Sequence, residues 1–248
     1  MQRKLIVDRG NTLLKAAIFE EQAIVSRRSL CASGYKDLTS LFSPEELQCT
    51  TCIYSSVAPD EDPIQQDLAN FYSHHLTVLE EHTPVPITTS YDRRTLGSDR
   101  LAAVVGAYAL FPNREVLIID AGTAITYERL SASGCYLGGT ISPGARIRFE
   151  ALHHYTARLP LIEHATTDLP LWGQDTASAI HLGVVRGILL EMEGYISLAR
   201  KQQQDLLVLL TGGAMGYFEK ELKCQTFAAR DLVLQGLNCI LDYQYRNA

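Results

Sequence analysis

Leu5-Ile6-Val7-Asp8-Arg9-Gly10-Asn11-Thr12 is the stretch on which the reading of this chain turns. Three β-favouring apolar residues run into an acid, then a glycine, then two small polar residues. The apolar run predicts a buried strand. Gly10 allows a tight turn that brings backbone N–H groups close to a ligand, and Asn11 and Thr12 add side-chain donors there. A carboxylate at the strand end suits a cation or an activated water better than it suits a phosphate. The combination therefore points to a place for a metal–polyphosphate, although strand–Asp–x–Gly also describes structural turns.

The chain then repeats itself. Val116-Leu117-Ile118-Ile119-Asp120-Ala121-Gly122-Thr123 has the same form, with Asp120 matching Asp8 and Gly122 matching Gly10. A second β-like segment follows each copy, Leu13–Phe19 and Ala124–Leu130. A repeat at half-chain spacing implies two similar lobes, here residues 1–112 and 113–248, joined by a hinge rather than a tether because nothing between them is low-complexity. This pattern resembles the actin-like ATPase and sugar kinase superfamily. That resemblance implies an α/β fold of two duplicated actin-like (ribonuclease H-like) lobes with a nucleotide cleft between them, one β-turn from each lobe holding the phosphates.

Composition narrows the class. The 248 residues are 46% hydrophobic and 20% charged, enough for a full core. A net charge of −6 disfavours a nucleic-acid surface. No apolar run approaches a membrane span, and the N-terminus enters a strand without a signal-peptide pattern, so a cytoplasmic protein is expected. Six cysteines are scattered, and Cys49-Thr50-Thr51-Cys52 lacks two further ligands at metal-site spacing; reduced, packed thiols are expected.

Periodicity predicts a three-strand meander over residues 3–30, a short helix at 37–42, a buried strand at 51–57, a helix at 63–72, a strand at 76–79 and loop over 82–95. A buried helix at 99–111 precedes the second lobe. There the pattern gives strands near 116, 124–130 and 135–141, and helices at 144–156 and 176–200. Ile180, Val184, Ile188, Met192 and Ile196 recur every four residues in the last of these. A strand at 206–210 and a helix at 231–245 close the chain. The adjacent pairs His74-His75 and His153-His154 point in different directions on a helix and are expected to be solvated or at an interface rather than chelating. Trp172 is expected to be a packing anchor.

Gly97-Ser98-Asp99-Arg100 lies between polar loop and buried helix. A carboxylate at a helix N-terminus is stabilised by the dipole and can take a proton from a hydroxyl. An arginine beside it offers a planar fork for a carboxylate or phosphate. By helix rules alone, Ser98 or Asp99 is instead an N-cap and Arg100 a solvated side chain.

At this point the resemblance sharpens. Asp8-Arg9-Gly10-Asn11-Thr12 with Lys15, then Gly97-Ser98-Asp99-Arg100, then Asp120-Ala121-Gly122-Thr123-Ala124 with Thr126 occur in order. Gly138-Gly139-Thr140-Ile141-Ser142-Pro143-Gly144, Thr156-Ala157-Arg158-Leu159-Pro160 and Gly173-Gln174-Asp175-Thr176 follow. Each motif alone is weak, but the ordered set resembles type III pantothenate kinase from Leu5 to about Gly213. The resemblance implies a homodimeric enzyme that phosphorylates pantothenate with ATP, the first step toward coenzyme A. It implies that Asp8, Arg9, Gly10, Asn11, Thr12, Leu13, Leu14 and Lys15 form the first phosphate loop, with Asp8 near Mg2+. Asp99 is the implied general base. Gly97, Ser98, Asp99 and Arg100 line the pantothenate site, with Tyr91 their aromatic partner. The resemblance further implies that Thr123 contacts ATP from the second lobe, that Asp120 takes a monovalent cation (K+ or NH4+), and that Thr176 reaches pantothenate from the partner subunit.

One residue departs from the family, which carries an aliphatic residue between the first Asp and Gly. Arg9 either points outward or adds a charge near the nucleotide. The absence of Gly-x-x-x-x-Gly-Lys-Ser/Thr and of Gly-x-Gly-x-x-Gly leaves P-loop and dinucleotide-binding readings without support. Two alternatives stay open: a nucleotide-binding transcriptional accessory factor of the same family, which would not need Asp99 and Arg100, and another small-molecule kinase on the same fold.

Overall fold

The computed structural model describes residues 3–58, 62–162 and 170–247. In chain order the elements are β1 (Arg3–Arg9), β2 (Leu13–Glu20), β3 (Ala23–Cys31), β4 (Thr51–Ser56), α1 (Pro63–Tyr72), β5 (Leu76–Val78), β6 (Thr88–Thr89) and α2 (Ser98–Leu110). Then come β7 (Val116–Ala121), β8 (Ala124–Leu130), β9 (Cys135–Pro143), α3 (Ala145–His154), α4 (Thr176–Gln202), β10 (Leu207–Thr211), α5 (Met215–Glu221), β11 (Phe227–Ala228) and α6 (Leu232–Asn247). Two compact units result. One comprises Met1–Arg114, Leu130–Gly138 and Asp231–Ala248; the other comprises Glu115–Arg129 and Gly139–Arg230.

The first unit is built on a five-stranded sheet in the order β3-β2-β1-β4-β5. β1 pairs antiparallel with β2 and parallel with β4, so Asp8 sits between Lys15 and Ser55. Alternation in β1 sends Leu5 and Val7 into one core with Leu14, Ala16, Ile18, Tyr54 and Leu68. α1 starts cleanly because Asp62 caps it and Pro63 occupies its first turn.

α6 lies against α2 and against β1, β2 and β4. It therefore belongs to the first unit, whereas the sequence reading placed it with the second lobe. Gly236 and, on α2, Gly106 set its approach, since a Cβ on Gly236 would stand 1.8 Å from the Ala102 carbonyl oxygen and one on Gly106 2.3 Å from the Leu232 carbonyl oxygen. Lys4, 5% exposed, is neutralised from α6 by Asp242, with Nζ 2.6 Å from Oδ1.

In the second unit the strands run β11-β10-β7-β8-β9. β10 pairs parallel with β7, which brings Thr211 opposite Asp120. α4 supplies Ile180, Val184, Ile188, Met192 and Ile196 to a core shared with Leu117, Ile119, Val208 and Leu210. Its start is a capping box between Asp175 and Ser178. Glu191 on α4 accepts from Tyr127 (2.8 Å), Ser142 (3.0 Å) and Arg148 (2.6 Å), tying β8, β9 and α3 to one carboxylate. Burial pushes that carboxyl up, but the three hydrogen bonds outweigh it and hold Glu191 below the usual carboxylate range.

Three short elements depart from the sequence reading: α5, β11, and β6 within the expected loop 82–95. The cysteines are free thiols, with Cys52 buried. Trp172 is 78% exposed rather than a core anchor. Among the described residues no helix is long and apolar enough to cross a membrane, and no cluster of three or more His, Cys, Asp or Glu is arranged to hold a metal.

Candidate active site

The first Asp-x-Gly turn closes on itself: the Gly10 N–H donates to the Leu13 carbonyl at 3.0 Å. Asp8, 5% exposed, is the next-to-last residue of β1, just before it. Arg9 has partners within the chain. Its guanidinium donates back to the Gly10 carbonyl and lies 3.6 Å from Asp62, the cap of α1. That carboxylate also accepts from Tyr54 and from the Ile64 N–H, so Arg9 balances a charge the helix start requires. Leu14 is fully buried in the core, so any ligand contact from it is made by backbone, while Asn11, Thr12 and Leu13 are exposed.

α2 brings the second motif to its N-terminus. Gly97 is the N-cap and no side chain caps this end, which replaces the expectation that Ser98 or Asp99 does so. Ser98 is used otherwise. Its hydroxyl accepts from Ser55 Oγ at 2.9 Å and donates to the Ser56 carbonyl at 3.0 Å, pinning the helix start to the end of β4. Asp99 lies in the first turn, and its Oδ1 accepts the Arg100 N–H at 2.8 Å. A backbone N–H of the first turn thereby holds the carboxylate at the positive end of the helix.

Arg100 is 6% exposed, not solvated. Nη1 donates to the Tyr91 hydroxyl at 3.3 Å and Nη2 to the Tyr136 hydroxyl at 3.0 Å. Its guanidinium carbon stands 5.3 Å from the Tyr91 ring centroid. Gly97, Ser98, Asp99, Arg100 and Tyr91 are thus gathered at one place in the first unit, and Tyr136 joins them. Beside them a cavity of about 610 Å³ is lined by Ser56, Arg93, Arg94, Gly97 and Ser98 among others.

The second Asp-x-Gly turn is tighter by one residue: Gly122 N–H donates to the Ala124 carbonyl at 3.1 Å. The Gly144 N–H donates to the Thr123 carbonyl at 3.1 Å, so the end of the Gly138–Gly144 motif braces this turn. Gly212, at φ +91°, closes over Asp120 from the end of β10; a Cβ there would come within 2.4 Å of Asp120 Oδ1. Only glycine leaves this approach to the carboxylate open. Thr176 is the exposed first residue of α4.

Sequence reasoning missed Tyr136 and Ser55. Each is one hydroxyl-bearing residue within a strand, which signals nothing until the chain is folded. The signal for Gly212 was present, since Thr211-Gly212-Gly213 ends a strand as the other turns do.

Two units, each with an Asp-x-Gly turn at the end of its leading strand and one with a carboxylate–arginine pair at a helix start, define an actin-like phosphotransferase. Solved structures agree on the fold. A Campylobacter jejuni protein described as a Baf family transcriptional activator matches with TM-score 0.63 at 21% identity, covering 98% of this chain and 99% of that one. The activator of 2-hydroxyisocaproyl-CoA dehydratase from Clostridium difficile matches with TM-score 0.53 at 11% identity, covering 100% and 98%. At those identities the likeness carries the fold alone.

The sequence comparisons go further. The profile of the type III pantothenate kinase family matches residues 4–198. A type III pantothenate kinase of Porphyromonas gingivalis is 44% identical over 246 residues, 98% of this chain and 99% of the relative. One from Phocaeicola vulgatus is 43% identical over 240 residues, 96% and 98% of the two chains. The chain belongs to the type III pantothenate kinase family.

Proposed function

We propose that this chain transfers the terminal phosphoryl group of ATP to the hydroxyl of pantothenate, giving 4′-phosphopantothenate for coenzyme A synthesis in the cytoplasm. The observation that carries this reading is the pairing at the start of α2. A carboxylate held by the Arg100 N–H is followed directly by a buried guanidinium. One takes the proton of the attacking hydroxyl, and the other is suited to the carboxylate at the far end of the same substrate.

Phosphoryl transfer asks a protein for positioning and charge neutralisation more than for covalent chemistry. In this reading the backbone of residues 8–15 and the Lys15 ammonium receive ATP, with Arg9 contributing through its backbone, and Thr123 is a further ATP-binding residue. Asp8 is the residue that would hold Mg2+, and Asp120 the residue that would hold K+ or NH4+; bound there, the cations neutralise polyphosphate charge. Tyr91, Gly97, Ser98 and Arg100 bind pantothenate. Thr176 completes that site from the second subunit of a homodimer. The exposed Leu190 and Leu198 of α4, together with Trp172, supply apolar surface for such an association.

The test is ADP release by the purified protein with ATP and Mg2+ in potassium buffer, with and without pantothenate. Release that depends on pantothenate is expected; release that ignores it contradicts the reading.

A further inference from the structure

We propose that Tyr136 is a positioning residue: it sets the plane in which Arg100 receives the substrate's carboxylate. This rests on the pantothenate reading of the site.

Tyr136 is fully buried on β9. A phenylalanine would fill the same volume without a hydroxyl to satisfy, and a buried hydroxyl is costly unless it is bonded. Here the hydroxyl accepts from Arg100 Nη2 at 3.0 Å. Tyr91 takes the other terminal nitrogen, at 3.3 Å. A guanidinium is planar, and one oxygen on each terminal nitrogen fixes both its plane and its rotation.

The two tyrosines are themselves locked together. Their rings stack at 5.7 Å with 28° between planes. Thr89 lies opposite Tyr136 in the β6–β9 pairing. Its hydroxyl donates to the Tyr136 carbonyl at 3.3 Å and accepts the Tyr91 N–H at 2.9 Å. Tyr136 thus acts on Arg100 directly and on Tyr91 through both ring and backbone. Arg100 follows Asp99 in the chain, so fixing its head fixes the distance between the base and the carboxylate reader. A substrate with a hydroxyl at one end and a carboxylate at the other is measured by that distance.

The experiment compares wild type and Tyr136→Phe on two substrates: pantothenate, and pantothenyl alcohol, in which a hydroxymethyl group replaces the carboxylate. Melting temperature is recorded for both proteins. With pantothenate, KM is expected to rise at least about tenfold, the scale of one hydrogen bond to a charged group, while KM for ATP stays unchanged. With the alcohol, kcat/KM is expected to be the same for the two proteins. An equal loss on both substrates, or no loss on either, overturns the proposal. So does a Tyr136→Phe protein that fails to fold, because the hydroxyl then serves the fold. Failure of wild type itself to phosphorylate pantothenate overturns the functional reading, and the wild-type arm shows this before any variant is compared.

Discussion

Gly97→Ala separates the chemistry of this site from its stability. An ideal Cβ at residue 97 would lie 2.7 Å from Asp99 Oδ1, and ordinary contact begins at 3.4 Å, so the carboxylate must retreat by about 0.7 Å. Retreat stretches the 2.8 Å bond from the Arg100 N–H that holds it. Misplacing a catalytic group by an ångström costs up to about a hundredfold. We therefore expect kcat to fall about 10- to 100-fold, equivalent to about 1.4–2.7 kcal/mol in the barrier. The fold should not suffer. Residue 97 has φ −56° and ψ 136°, which alanine adopts freely. The poorer N-cap and the reduced freedom of the unfolded chain act in opposite directions, each by about 1 kcal/mol or less. Steady-state kinetics and urea denaturation on the same preparation read the two quantities. Gly34→Ala is the control, since a Cβ there meets nothing within 4 Å. A Gly97→Ala enzyme with wild-type kcat would refute the reasoning, as it would show that the position of the Asp99 carboxylate does not govern the rate.

Three further outcomes follow from the same geometry. Asp99→Asn keeps the size of the side chain but cannot take a proton, so turnover should fall about 10²–10⁴-fold with nucleotide affinity retained by calorimetry; wild-type turnover would reduce Asp99 to a helix-end charge. Exchanging potassium for sodium at fixed ionic strength should lower the initial rate, and Asp120→Asn should abolish that difference; equal rates in both salts would remove the cation from Asp120. Asp242→Ala strands the Lys4 ammonium, which is 5% exposed, and should destabilise the protein by about 3 kcal/mol, the lower end for a broken buried pair because Asp242 is itself partly exposed; a shift in denaturation below about 0.5 kcal/mol would mean Lys4 finds water.

Much of the fold could be read from residue order, because strong local signals coincide with its elements. The apolar runs before Asp8 and Asp120 became β1 and β7, and the four-residue recurrence from Ile180 to Ile196 became α4. What escaped was either short or non-local. α5 has seven residues and β11 two, too few for a period to show. α6 is amphipathic, yet nothing in its own residues says that its glycine faces α2. The site was legible as a set of motifs but not as a set of contacts. Helix rules made Arg100 a surface residue; its burial depends on Tyr136, 36 residues away. Still longer separations in sequence hide Ser55 from Ser98 and Gly212 from Asp120. Asp62, the partner of Arg9, stands 53 residues away in the chain and could not be read from the loop.

The most direct test of the account is product identification. Wild type and Asp99→Asn are incubated with ATP, Mg2+, K+ and pantothenate, and the products are resolved by mass spectrometry and phosphorus NMR. The account expects wild type to form 4′-phosphopantothenate and one ADP for each, with the Asp99→Asn reaction nearly silent. ATP consumed by wild type without a phosphorylated pantothenate, or the same product formed as fast by Asp99→Asn, would contradict it.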